Sequence, residues 1–132
     1  MTAEFARTLP ATCAAVPGLL DAIQAWLEEA GVPMAEGART MIALDEILSN
    51  IAMHGGGTMD ISLTLADRTI HAAIADDGPA FDPLARPEPD TAASLEDRDI
   101  GGLGIHLVRE MMDDVSYAHS GGQNRLTFRK TF

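Results

Sequence analysis

An α+β two-layer sandwich, with helices covering one face of a mixed, mostly antiparallel sheet, is the architecture this sequence predicts. Strand-like runs come in neighbouring pairs, near 59–66 with 69–75 and near 115–119 with 125–132, while helical periodicity falls in separate blocks. The chain has 132 residues, which is the size of a single domain with one real core, so 1–132 is read as one unit.

The elements follow in order. Residues 3–9, AEFARTL, alternate weakly and read as a first strand ended by Pro10. From about Thr12 to Ala30, apolar residues (Leu19 or Leu20, Ile23, Trp26 or Leu27, Ala30) recur at three- and four-residue steps, the spacing of a helix, and Gly31 supplies the stop. A second helix runs from Pro33, a first-turn residue, to His54, where Gly55, Gly56 and Gly57 terminate it. The strands MDISLTLA and TIHAAIA come next, joined as a hairpin at Asp67-Arg68. Residues 77–102 hold Pro79, Pro83, Pro87, Pro89, several carboxylates and the Gly101-Gly102 pair; an irregular stretch of that length is either disordered or a functional lid. A third helix, Leu103 to about Asp113, leads into the closing strands Val115–His119 and Arg125–Phe132.

Composition excludes several classes. The net charge is −11, with Lys130 as the one lysine beside eight arginines, so the chain lacks the positive patch that nucleic acid or an anionic membrane requires. A protein partner is expected instead. Cys13 is alone, which removes a disulfide framework and a cysteine zinc site and points to the cytoplasm. No apolar run is long enough to span a membrane.

Three segments carry possible chemistry. The first is DEILSNIAMHGG, residues 45–56, in which Glu46, Asn50 and His54 recur every four residues, roughly opposite a core stripe of Met41, Leu44, Leu48 and Ile51. Read alone, the polar row is a solvated face; yet Ile42, Ala43, Ile47 and Met53 border it, and polar groups among apolar neighbours need partners. The second, IADDGPAFDP at 74–83, is either a turn or a strand end presenting Asp76. The third, DIGGLGIHLVREMMDDV at 99–115, sets three glycines before an amphipathic helix, which suits either a connector or an anion cradle. A P-loop is absent, since Lys130 lies far from any glycine-rich loop, and GGLGIH does not open a Rossmann unit. The histidines 54, 71, 106 and 119 do not fall at zinc spacing, and His71 reads as structural.

Together, E-x-x-x-N on a helix, D-x-G at a strand end and G-x-G opening a helix resemble the Bergerat-fold (histidine-kinase-like) ATPases, which include sensor histidine kinases, gyrase B subunits, Hsp90 and MutL. Within that superfamily the chain looks most like the small anti-sigma-factor serine kinases of the RsbW and SpoIIAB type, in ALDEILSNIAMHG, DDGPAFDP, GGLGIHLVREMMDDVSY and NRLTFRK. The likeness covers nearly the whole chain, and the three boxes are its diagnostic part.

The resemblance implies roles. Asn50 matches a metal-binding asparagine for Mg²⁺, and Glu46 the general base. Asp76 matches the carboxylate that accepts from the adenine amine of ATP, with Gly78 letting the base lie close. Gly102 and Gly104 match the phosphate-contacting glycines, and the segment from Leu84 to Ile100 the lid. Phosphate charge must be offset by Mg²⁺, backbone amides or an arginine; Arg98 and Arg109 are the candidates, each read first as a surface or ion-pair residue. The resemblance further implies an ATP-dependent protein serine/threonine kinase that phosphorylates an anti-anti-sigma STAS-domain partner and sequesters a sigma factor, with homodimerisation as in the family. The alternative is a non-catalytic module of the same fold that senses ATP or ADP.

Overall fold

A computed structural model describes residues 2–54, 57–79 and 108–132. Its strands are β1 (Ala3–Pro10), β2 (Thr58–Ala66), β3 (Thr69–Asp76), β4 (Asp114–Ser120) and β5 (Gln123–Thr131), and its helices are α1 (Val16–Glu29) and α2 (Met34–His54). A short 3-10 turn, Cys13–Ala15, precedes α1, and residues 108–111 are helical. The strands lie in the order β1-β2-β3-β5-β4, and every described pairing is antiparallel. The predicted α+β sandwich is therefore present, with its sheet wholly antiparallel among the described residues. Residues 103–107 of the predicted third helix lie outside them, and the helix ends at residue 111 rather than at about Asp113.

Local chemistry explains the boundaries. α1 ends in a double hydrogen bond, Val32 N–H to Leu27 C=O (3.1 Å) and Gly31 N–H to Glu28 C=O (3.1 Å), around Gly31 at φ +79°. That is the left-handed helix stop, and a residue without Cβ adopts it freely. The β2–β3 turn is the predicted one: Asp67 and Arg68 both have positive φ, 51° and 62°, the twist that a two-residue hairpin needs. β4 extends beyond the predicted 115–119 at both ends, and β5 starts before the predicted 125 and stops one residue short of 132; the two strands meet at Gly121-Gly122.

Alternation along the strands decides which face is buried. Phe5, Met59, Ile61, Leu63, Ile70, Ala72, Ile74, Leu126 and Phe128 point to the helices and join Ile23, Leu27, Leu44, Leu48 and Val108 in one core. Each large aliphatic side chain buried there contributes roughly 1.5–3 kcal/mol. The opposite face carries Glu4, Asp60, Ser62, His71, Arg125 and Arg129, with no described helix over it. His71, expected to be structural, is exposed on that open face.

The core stripe of α2 differs from the predicted one. Thr40, Ala43, Leu44, Ile47 and Leu48 are buried, whereas Met41 and Ile51 are half-buried. Thr40 tolerates burial because its hydroxyl donates to Glu36 C=O at 2.8 Å, one turn earlier. With the stripe centred there, Glu46 and Asn50 sit on its flank beside Ala43 and Ile47 rather than opposite it. Both are half-buried.

Candidate functional site

Three strand ends and one helix end meet at the same edge of the sandwich. β3 finishes at Asp76, which pairs with Met59 at the start of β2 on one side and Asn124 at the start of β5 on the other. α2 finishes at His54, and Thr58 opens β2. Four residue steps span at most roughly 14 Å. The last turn of α2 is thus held near the end of β3.

Asp77 makes that junction firm. Its Oδ1 accepts from Thr58 N–H at 2.9 Å, its Oδ2 from the Thr58 hydroxyl at 3.4 Å, and its own N–H donates to Thr58 C=O at 3.4 Å. Gly57, at φ +70°, lies directly against this carboxylate, and a Cβ there would fall 2.3 Å from Asp77 Oδ1. The residue that ends the α2–β2 connection is therefore fitted to the residue that follows β3.

Asp76 lies on the inner, core-facing side of β3 with 6% of its surface exposed. A carboxylate so placed needs donors. Its Oδ1 accepts from Gly78 N–H at 3.0 Å, an Asx turn, and from Asn124 Nδ2 at 3.1 Å. Both bonds fall on one oxygen, and Oδ2 takes none among the described residues. An acceptor is left at the sheet's end where a donor such as an exocyclic amine could meet it.

Because β5 begins two residues before the expected Arg125, Asn124 falls outside the predicted strand. It is as buried as Asp76, and its amide nitrogen also faces Gly78 C=O (3.3 Å) and Pro79 C=O (2.8 Å). The Tyr117 hydroxyl donates to its Oδ1. A signal was available in the alternation: Asn124, Leu126 and Phe128 share one face, which makes the asparagine a polar residue at a core position.

On α2, Glu46 and Asn50 are spaced i, i+4, which puts their Cβ atoms about 5–6 Å apart. Burial pushes the Glu46 carboxyl upward from its ordinary value, and the negative charge of neighbouring Asp45 adds to the effect. A carboxylate of raised basicity inside a protein edge is the condition a general base requires. Asp45 itself is exposed and accepts from Ser49 Oγ at 3.1 Å.

Gly78 is half-buried directly after Asp77. Gly102, Gly104, Arg98 and the predicted lid from Leu84 to Ile100 lie outside the described residues, as does the side chain of His54. Arg109 is exposed. Two described concavities, one on the open sheet face around Ser62, His71 and Arg129 and one around Trp26 and Leu65, do not include Glu46, Asn50 or Asp76. No cluster of three or more His, Cys, Asp or Glu residues suited to a metal exists among the described residues. Half-buried Asn50 offers one amide oxygen, a hard donor of the kind Mg²⁺ accepts alongside water and phosphate. No helix among the described residues is long and apolar enough to cross a membrane.

Comparison with known proteins gives the context. The family model described as "Histidine kinase-like ATPase domain" matches residues 9–130. The serine/threonine-protein kinase BtrW of Bordetella bronchiseptica is 38% identical over 111 residues, covering 77% of this chain and 78% of that protein. The serine-protein kinase RsbW of Halalkalibacterium halodurans is 32% identical over 88 residues, 61% of this chain and 54% of that one. Among solved structures, the RsbU and RsbW domains of a Mycobacterium tuberculosis protein superpose with a TM-score of 0.71 at 18% identity, over 98% of this chain and 32% of that one. A chain of the SiaB–SiaC complex from Pseudomonas aeruginosa gives 0.62 at 14% identity, over 97% of this chain and 89% of that one. These two likenesses establish a shared fold.

Proposed function

The chain belongs to the histidine kinase-like ATPase domain family, and from that premise we propose that it is an ATP-dependent protein serine/threonine kinase acting on an anti-anti-sigma STAS-domain protein. The observation that carries this reading is the pairing of a half-buried Glu46 of raised basicity with Asn50 one turn away on α2, in a chain whose β3 ends in a buried, hydrogen-bonded Asp76. The relatives named as serine/threonine- and serine-protein kinases support it.

The chain's own groups divide the work. Asp76 accepts a hydrogen bond from the adenine amine, and Gly78, without a Cβ, leaves room for the base. Glu46 takes the proton from the partner's serine hydroxyl as its oxygen bonds to the γ-phosphorus of ATP. The bond from that phosphorus to the β,γ-bridging oxygen breaks, and ADP leaves. Asn50 would hold Mg²⁺ through its amide oxygen; the ion, when bound, offsets phosphate charge. Gly102 and Gly104 would bring backbone N–H groups to the phosphates, and the segment from Leu84 to Ile100 would cover them.

The same reading makes the protein a switch: it sequesters a sigma factor when the partner is absent or phosphorylated. It also places the protein in the cytoplasm, where ATP and a sigma factor are found, as one domain over 1–132 that associates as a homodimer.

The deciding experiment is single-turnover transfer from labelled ATP to a candidate STAS-domain protein. Wild type forms phosphoserine, Glu46→Ala binds nucleotide and transfers nothing, and Asp76→Asn binds ATP much more weakly. Nucleotide binding with no phosphoserine on any such partner would replace the kinase by a non-catalytic ATP/ADP sensor. Unchanged affinity in Asp76→Asn would move the adenine pocket elsewhere.

A further inference from the structure

We propose that Asn124, oriented by Tyr117, is the positioning residue that sets the purine preference of the site; this rests on the reading of Asp76 as the adenine acceptor. Three oxygens, Asp76 Oδ1 (3.1 Å), Gly78 C=O (3.3 Å) and Pro79 C=O (2.8 Å), converge on one atom of the Asn124 side chain. Only the amide nitrogen can face three acceptors, and a hydroxyl donor, Tyr117 OH, faces the other end. The orientation of the amide is therefore fixed by its surroundings, as a side chain that orders others must be.

Tyr117 reaches Asn124 across the hairpin. It pairs with Leu126 in the β4–β5 register, so Asn124 is its diagonal neighbour on the inner face. The asparagine in turn occupies Asp76 Oδ1 and ties down the two carbonyls that follow. Gly78 N–H occupies the same Oδ1 from the other side. With that oxygen doubly held, the carboxylate plane cannot rotate without breaking both bonds, and the acceptor left without a partner among the described residues is Oδ2. Asn124 thus does not need to touch the base to govern it.

A merely structural asparagine would weaken the fold or the affinity for every nucleotide alike. A positioning asparagine changes the difference between a purine that has a 6-amino group and one that lacks it. The probes are ATP and purine riboside triphosphate, identical except for that amino group, with binding to the full chain measured by calorimetry.

A hydrogen bond to a charged acceptor predicts a wild-type preference for ATP of about 10–100-fold. Asp76→Asn, which keeps the shape and loses the charge, should collapse it. Asn124→Ala frees Oδ1 from one of its two donors, and the preference should fall by about fivefold or more, with the weakening concentrated on ATP. Asn124→Asp serves if the alanine variant does not fold: it is isosteric, keeps an acceptor for Tyr117, and turns the donor toward Asp76 into an acceptor, so the fall should be at least as large.

A preference that collapses in Asp76→Asn but stays at the wild-type ratio in folded Asn124→Ala or Asn124→Asp overturns the role given to Asn124 and leaves the adenine pocket standing. A preference unaltered in Asp76→Asn removes the pocket itself, and this inference with it.

Discussion

Replacing Gly57 by alanine tests the junction between the helix end and the strand end. Alanine there meets two penalties. The backbone at φ +70° is left-handed, which disfavours a Cβ by about 1–2 kcal/mol. That Cβ would also lie 2.3 Å from Asp77 Oδ1 and 2.8 Å from Asp77 Cγ, too close to keep, so the carboxylate must move off the Thr58 N–H it accepts from at 2.9 Å. A hydrogen bond to a charged group contributes about 1.5–3 kcal/mol. With partial relaxation the sum is about 2–4 kcal/mol, read as a shift of the urea midpoint at constant slope. The two penalties separate in a double-mutant cycle with Asp77→Ala. In that background only the backbone penalty remains, so Gly57→Ala should cost about 1–2 kcal/mol and the coupling should be about 1–3 kcal/mol. Equal cost in both backgrounds, within about 0.5 kcal/mol, would show that Gly57 and Asp77 are not fitted to each other.

Other consequences are testable separately. Only the deprotonated Glu46 carboxylate can take a proton, so transfer per bound nucleotide should fall as pH drops through its raised value. Asp45→Asn removes the smaller cause and should move that acid limb to lower pH in single-turnover rates between about pH 5 and 8; a limb moving upward contradicts the assignment. The Asp113 carboxyl is held below its ordinary value first by Thr131 N–H, at 2.7 Å, and then by Lys130 and Arg129, against an opposing desolvation. Its stabilisation is thus full above about pH 3.9 and lost as pH falls through the lower folded value. Asp113→Asn should therefore lower the urea midpoint at pH 7, with wild type and variant converging in strong acid; a gap that persists there argues against the linkage. Leu48→Ala, at a position with 0% exposure, should destabilise by about 2–5 kcal/mol, and a loss under 1 kcal/mol would mean the core collapses around it.

The sequence announced most of this fold because its elements are locally encoded. Alternation in MDISLTLA and TIHAAIA, a turn at Asp67-Arg68 and a helix stop at Gly31 each act within a few residues, and each is found where expected. What periodicity did not resolve was the rotation of α2. Met41 and Ile51 look as apolar as Ala43 and Ile47, and only packing against the sheet selects the latter pair. That rotation brings Glu46 and Asn50 from the far side to the flank of the core, where Glu46 becomes desolvated. Asp76 was legible as a strand-end carboxylate. Its partner Asn124 was hidden because hydrogen bonds between residues 48 positions apart leave no local trace. The α2–β2 junction was half visible: three glycines marked it, and nothing nearby in sequence pointed to Asp77.

The bond between Asp76 and Asn124 has a temporal consequence. A chain emerging from the ribosome exposes Glu46, Asn50 and Asp76 well before Asn124 is made, and the carboxylate then has only its own Asx turn to orient it. On the role proposed for Asp76, nucleotide recognition would therefore mature with the final hairpin, and ATP would favour finished chains over nascent ones.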